Sequence, residues 1–350
     1  MASYIIWGLL IIVGIALPKS KFVSLLGLSY IFIIIAFCTK APDLSNNMFM
    51  YSNIDSGLYT YYEPLYVALM RLCNVVGLDF TGFRCVLAFF TVLILYYALS
   101  NKIDRINSAI SVLLIYPVII YASGLRSAIP FSLIIWASLD YMSKNDRKNI
   151  IKTLILIMIA SLIHYSSIFF LIIYIIKRKF DANRLLKVFG FEVLIILLLR
   201  LGILYKIVSP YINSSKVLQW ISLQGYDHPS LIVDIIVAAM ICGTAFIISR
   251  CSNESYYNGT SACLNKYCKN LNWIMIFLLP MLFLSLTFER YISIIISLQI
   301  IVLVDQFKMN DIRRIVLVLL GFLYNFAFYY VVHGNIFFPI LYNNSFFQSI

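Results

Sequence analysis

The sequence predicts an all-α polytopic membrane protein of about twelve transmembrane helices, with a cavity facing the outer side of the membrane. Three observations predict it. First, the 350 residues are 62% apolar and 16% aromatic with only 12% charged, and mean hydropathy is +0.92. A soluble domain runs roughly 45–50% apolar and about 25% charged. Second, the apolar residues form long unbroken runs, which suit helices; the strands of an outer-membrane barrel alternate in short segments instead. Third, the net charge of +12 is carried in short basic clusters between those runs, as the positive-inside rule requires. That distribution excludes nucleic acid as a partner.

A spanning helix takes about 20 mostly apolar residues, fewer where flanking side chains snorkel. In chain order the runs are 3–17, 22–38, 83–99, 107–122, 127–142, 150–163, 165–176, 188–208, 230–249, 271–287, 291–305 and 315–332. The first, Tyr4–Leu17, has no basic residue ahead of it, so it is expected to remain a helix and not to be cleaved as a signal peptide. Six basic clusters mark the cytoplasmic side: Lys19/Lys21, Lys102/Arg105, Lys144–Lys152, Lys177–Lys187, Arg250–Lys269 and Lys308–Arg314. For all six to lie inside, 150–176 must cross twice with a turn near His164, and 63–80 must make no net crossing. Twelve spans with both termini outside result, in a single integral membrane domain over residues 1–350.

Two external segments are expected, 39–82 and 209–229. Within the first, Thr39–Tyr62 carries Pro42, Asp43, Asn46, Asn47, Asn53, Asp55 and Gly57 and reads as a loop. Glu63–Phe80 is apolar but interrupted by Glu63, Pro64, Arg71 and Asn74, and reads as a helix lying on the outer interface. The second is rich in Tyr, Asn, Ser, Gln and Trp. The seven cysteines are scattered without a CxxC pair, and Cys263 and Cys268 lack a His or second pair nearby, so no metal site is expected. P-loop, GxGxxG, GxSxG and HExxH motifs are absent in any credible context. No cofactor is expected, and the missing nucleotide motif points to a lipid-linked donor.

Under this topology Asp43, Asp55, Glu63, Arg71, Arg84, Arg126, His164, Asp227, His228, Glu289, Arg290 and His333 fall at or near the outer face. Arginines there run against the positive-inside bias, and charges at membrane depth are costly and usually face a cavity or a partner. Arginines beside carboxylates and a His suit a phosphorylated, membrane-anchored substrate. The central stretch is Ser123-Gly124-Leu125-Arg126-Ser127-Ala128-Ile129-Pro130, one Arg in the turn between two apolar runs. A second polar break, Leu162-Ile163-His164-Tyr165-Ser166-Ser167, places a His before three hydroxyls. Each residue has a plainer alternative: Arg126 as a snorkelling or hairpin-capping charge, Arg290 as the partner of Glu289, Arg200 as the partner of Glu192, His164 as a hydrogen-bonded core residue, and Asp43 as a loop cap after Pro42. The external aromatics Tyr51, Tyr59, Tyr61, Tyr62, Tyr66, Trp220 and Tyr226 read chiefly as an interfacial belt.

The order of these features resembles a known family. Pro42-Asp43 in an early external loop leads to Glu63-Pro64-Leu65-Tyr66, then Gly124-Leu125-Arg126-Ser127-Ala128, then Ile163-His164-Tyr165-Ser166, with Glu289-Arg290 late in the chain. This is similar to the EpsG-like family of Wzy-type bacterial polysaccharide polymerases, over roughly residues 1–340. Ser127 stands where that family usually has a Gln- or Asn-like residue after the Arg.

The resemblance implies an integral glycosyltransferase of the bacterial plasma membrane, in architecture similar to GT-C-type enzymes. It would join oligosaccharide repeat units carried on undecaprenyl diphosphate at the outer face. Carried over to this sequence, Arg126 grips the diphosphate, and His164 and Asp43 activate or orient the acceptor. Arg290 and Arg200 are further diphosphate candidates, and Glu63 is a further catalytic candidate. The partners implied are the lipid-linked donor and acceptor, the bilayer and a chain-length regulator. The residues suit that chemistry: fixed arginines stabilise charge developing on a diphosphate without metal, and a His or carboxylate takes the proton of an acceptor hydroxyl. Two other classes remain open, a flippase of lipid-linked sugars and a glycan ligase or acyltransferase. A flippase is expected to show Gly/Pro breaks in matched halves, which are not visible here.

Overall fold

In a computed structural model of the chain, residues 2–56, 63–115, 117–143 and 147–177 are described without a break. They are followed by 201–211, 231–251, 289–306, 315–321 and 339–348, with scattered single positions between. The first two apolar runs form α1 (Ala2–Ala16) and α2 (Lys21–Phe37). Pro18 separates them, and the Ser20 hydroxyl accepts from the amide of Val23 to start α2. Among the described residues there is no strand, only an isolated bridge between Cys38 and Asn344, so the architecture is all-α.

The stretch expected as a loop after α2 is helical: α3 (Leu44–Ser52) is followed by a 3-10 turn, Ile54–Ser56. Its polarity conceals an inward stripe of Met50, Tyr51 and Ile54. Its asparagines bond along the helix, Asn47 Nδ2 to Asp43 O at 2.7 Å and Asn53 Nδ2 to Phe49 O at 2.9 Å. The segment expected to be an interfacial helix forms α4 (Pro64–Val75). It buries Tyr66, Met70 and Cys73, one per turn, and exposes Leu65, Leu72 and Val75.

Next come α5 (Phe80–Ser100), α6 (Ile106–Ile115), α7 (Pro117–Ser123), α8 (Leu125–Ser143) and α9 (Arg147–Ile163). The run 107–122 is thus two helices. Pro117 cannot donate a backbone hydrogen bond and is tolerated best where a helix begins. Helix α9 ends at the expected break, and a 3-10 segment, Tyr165–Lys177, carries the chain on from His164. Farther along lie α10 (Ile203–Val208), α11 (Leu231–Cys251), α12 (Glu289–Gln306) and the short α13 (Ser345–Gln348). Among the described residues one helix, Phe80–Ser100, is both long and apolar enough to cross a membrane by itself.

Helix α8 packs between α5 and α9; α5 packs on α2, α1 on α6, and α12 on α6 and α7. Close approach needs small residues. A Cβ on Gly27 would stand 2.7 Å from Ile110 Cγ2, and one on Gly14 would collide with Ser111 Oγ. Asn107, 1% exposed, fastens the α1–α2 turn by donating to the carbonyls of Leu17 and Ser20 and pairing with the Ser24 hydroxyl. Buried hydroxyls bond back to their own helix: Thr91 to Leu87 O, Ser132 to Ala128 O and Ser161 to Ile157 O, which removes the cost of carrying them in an apolar interior.

Bases from two of the predicted inner clusters gather at one end of the bundle. Lys102 and Lys152 both pair with Asp140, at 2.9 and 2.5 Å, and the amide of Arg105 donates to Asp305 at 2.6 Å. The C-terminal end of α2, the starts of α5 and α8 and the end of α9 lie at the other. There the chain's last described segment returns to α2: Thr39 N donates to Asn343 O, and Asn344 Nδ2 to Ile33 O.

Candidate active site

Three of the residues singled out from sequence meet at this second end. Glu63 precedes Pro64, the first residue of α4. A residue before proline is pushed to extended backbone, and Glu63 sits at φ −58°, ψ 125°. Its carboxylate makes no cap on α4 and is 6% exposed. Instead it bridges two other helices: Oε2 lies 3.5 Å from Arg126 Nη1, and Oε1 lies 3.2 Å from His164 Nδ1.

Arg126 is the second residue of α8. The preceding turn is tied by Gly124 N to Ile120 O and Ser127 N to Gly124 O, both 2.8 Å. His164 stands in the break after α9 with its amide on Ala160 O at 2.8 Å and its carbonyl accepting from Ser167 N at 2.9 Å. Both donors are therefore fixed by the ends of helices, and their side chains keep 30% and 23% exposure. They are partly open to the surface while Glu63, 7% exposed at its side chain, lies behind them.

Burial acts to raise the Glu63 carboxyl's pKa. The His164 hydrogen bond, the residue's own backbone amide and the Arg126 charge outweigh burial and bring it to about 2. Its two partners thus hold Glu63 in the charged form. A carboxylate only accepts hydrogen bonds, so the imidazole donates through Nδ1 and Nε2 becomes the ring's acceptor. This is the arrangement in which a carboxylate sets the tautomer of a His base.

Arg290 joins the group from α12, whose second residue it is. Its Nη1 lies 3.4 Å from the position a Cβ on Gly124 would occupy, so the glycine is what admits the guanidinium beside the α8 turn. Tyr291, 5% exposed, holds the start of α12 in place by edge-on and tilted contacts to Phe131 of α8 and to Phe169 and Phe170 beyond His164. Among the described residues no carboxylate lies within ion-pair distance of Arg290. Arg290 stands beside the turn that carries Arg126, the residue paired with Glu63.

The remaining expectations divide. Asp43 lies at the same end as the residue before α3, with its carbonyl accepting from Asn47. Its carboxylate touches none of the cluster and makes no ion pair among the described residues. Arg200 and Glu192 lie outside the described residues, as do Asp227, His228 and His333. Arg71 is exposed. Arg84 is 5% exposed and donates through Nε and Nη2 to Ile35 O, at 3.2 and 2.8 Å, closing the last turn of α2. Among the described residues no group of His, Cys, Asp and Glu is placed to hold a metal ion.

Two of the aromatics assigned to a belt are buried: Tyr51 is 4% exposed and Tyr66 fully buried. Tyr51 donates to Leu78 O at 2.6 Å, and the Tyr66 hydroxyl lies 3.4 Å from Asn47 Oδ1. Tyr66 is the floor beneath Glu63, a role that its spacing with Met70 and Cys73 signals once α4 is taken as a half-buried helix. Comparison with known proteins adds one finding: residues 21–345 match the model of the EpsG family. No curated protein and no solved structure matches the chain.

Proposed function

The chain belongs to the EpsG family, a Wzy-like family of polysaccharide polymerases, and from that premise we propose that it extends a polysaccharide from repeat units carried on undecaprenyl diphosphate at the outer face of the plasma membrane. The observation that carries this reading is the bridge from Glu63 to both His164 and Arg126. One carboxylate holds the proposed base and the proposed anion-binding group side by side.

In the proposed reaction the acceptor sugar hydroxyl gives its proton to His164 Nε2, and its oxygen forms a bond to the anomeric carbon of the donor. The bond from that carbon to the diphosphate oxygen breaks with its electron pair, and the charge arriving on the diphosphate meets Arg126 and Arg290. Guanidinium binds two phosphate oxygens in parallel, and donors aimed at developing charge in a water-poor site are usually the largest catalytic contribution. Glu63 stays ionised and stabilises the imidazolium that forms. Arg200 remains a proposed third diphosphate ligand and Asp43 a proposed acceptor contact.

About twelve spans in an architecture similar to GT-C-type enzymes are part of this proposal; the membrane setting itself is supported by the outward faces of the described helices. Ile5, Leu9 and Ile12 on α1, Phe22 and Leu25 on α2, and Phe89 on α5 are each more than half exposed, a surface that water disfavours and hydrocarbon does not. Deletion of the gene tests the function. A polymerase leaves single lipid-linked repeat units on the outer leaflet, whereas repeat units trapped on the inner leaflet identify a flippase. Purified protein that joins lipid-diphosphate-linked units in vesicles confirms the enzyme, and failure with verified donor overturns it.

A further inference from the structure

A cavity lies away from the proposed active site, in the groove between α2 and α5. It encloses about 720 Å³ and is walled by Leu25, Leu28, Phe32, Phe89, Leu93 and Tyr96, with Lys19, Lys21 and Asp104 at one end. This is within the range of roughly 300–1,000 Å³ that ligand cavities occupy. Leu28 forms the floor at 5% exposure, while Leu25, Phe89 and Leu93 are about half exposed or more, so the groove opens sideways from the bundle. Neither lysine is in an ion pair among the described residues.

The shape of the groove limits what fills it. From Lys21 to Ile33 the α2 wall runs twelve residues, about 18 Å at about 1.5 Å per residue. One leaflet of hydrocarbon is about 15 Å deep, half of a core of about 30 Å. The groove therefore has the length of one acyl chain hanging from a headgroup at the lysine end. At that end two ammonium groups outnumber the single Asp104 carboxylate, and the α2 N-terminus adds partial positive charge. Basic pockets between membrane helices take anionic headgroups.

We propose that this groove is a specific site for an anionic phospholipid, with its phosphate held at Lys19 and Lys21 and an acyl chain laid along Leu25, Leu28, Phe32 and Phe89. The site is independent of the proposed catalytic cluster, which sits at the opposite end of α2. It would fasten α2 to α5, and α2 carries at its far end the carbonyl that Arg84 closes.

Native mass spectrometry of the full-length protein, stripped of lipid in detergent and titrated with phosphatidylglycerol or phosphatidylcholine, tests this without reference to polymerisation. Phosphatidylglycerol is expected to bind at one saturable site and phosphatidylcholine much more weakly. At about 1 kcal/mol per basic residue, the double variant Lys19→Gln/Lys21→Gln is expected to bind phosphatidylglycerol roughly 30-fold more weakly. Ser29→Trp, at an exposed position lining the groove, is expected to block the acyl chain while leaving both charges in place. Lys40→Gln, beyond the other end of α2, is expected to leave binding unchanged. Equal binding of the two lipids, retention in both groove variants, or an equal loss in Lys40→Gln would overturn the proposal. So would a polyprenyl phosphate probe that displaces phosphatidylglycerol from the groove at equimolar concentration, since the occupant would then be a carrier lipid.

Discussion

Replacing Glu63 with Gln keeps the shape of the side chain and removes its charge, and the structure sets the size of the effect. The carboxyl's pKa falls from 4.5 to about 2 in the folded protein. At about 1.4 kcal/mol per unit, the surroundings favour the charged form by on the order of 3 kcal/mol. Because the folded value lies below the unfolded one, that stabilisation is complete above about pH 4.5 and disappears as pH falls through about 2. Glu63→Gln is therefore expected to melt several degrees below the parent protein in detergent between pH 6 and 8, and the gap should narrow steadily below pH 4.5. Catalytically the change is larger. His164 loses the partner that fixes its tautomer and orientation, for which a fall in turnover of about 10²–10⁴ is expected. Melting by scanning fluorimetry across pH and polymer formation in vesicles measure both. Wild-type polymer yield from a normally expressed Glu63→Gln protein, or a stability gap that persists unchanged to pH 3, would refute the bridging role.

Arg126→Lys keeps the charge and the reach but not the parallel fork, so polymerisation in vesicles should fall about 10²–10³-fold. A snorkelling Arg is replaced by Lys without loss, and full-length polymer from that variant would remove the diphosphate clamp. Gly124→Ala places a methyl 3.4 Å from Arg290 Nη1 and 2.9 Å from Ser127 Oγ. It should insert normally yet weaken donor binding, read as a raised KM with a smaller change in kcat. In cells with the native cysteines removed, Cys at Asn46 should react with an impermeant thiol reagent and Cys at Asn101 should not; the reverse pattern would invert the orientation and with it the outer-face site.

How much of this was legible beforehand depends on what kind of signal each residue left. The apolar runs announced α1, α2, α5, α8 and α9 because burial in hydrocarbon or core leaves a composition that no turn shares. Helix α3 was hidden because its asparagines, which normally mark turns, here bond along the helix to Asp43 O and Phe49 O. Arg126 and His164 stood out since each interrupts an apolar run, where a charged or titratable group has to be compensated.

Glu63 also stood out, as an acid interrupting an apolar segment, but its role could not be read there: the contacts that give it one lie 63 and 101 residues away along the chain. The same is true of Gly124 and Arg290, whose meeting depends on α12 docking against the α8 turn. Local sequence reports the cost of a residue in its own segment; it does not report which other segment offsets that cost. For this reason the Arg and the His could be chosen from the sequence, while the roles among the acids could not be ordered. Placement now supports an order among them. Glu63 is buried and bonded to His164 Nδ1, while the imidazole keeps partial exposure, so in the proposed reaction the proton of the acceptor hydroxyl goes to His164 and Glu63 acts through the imidazole it orients.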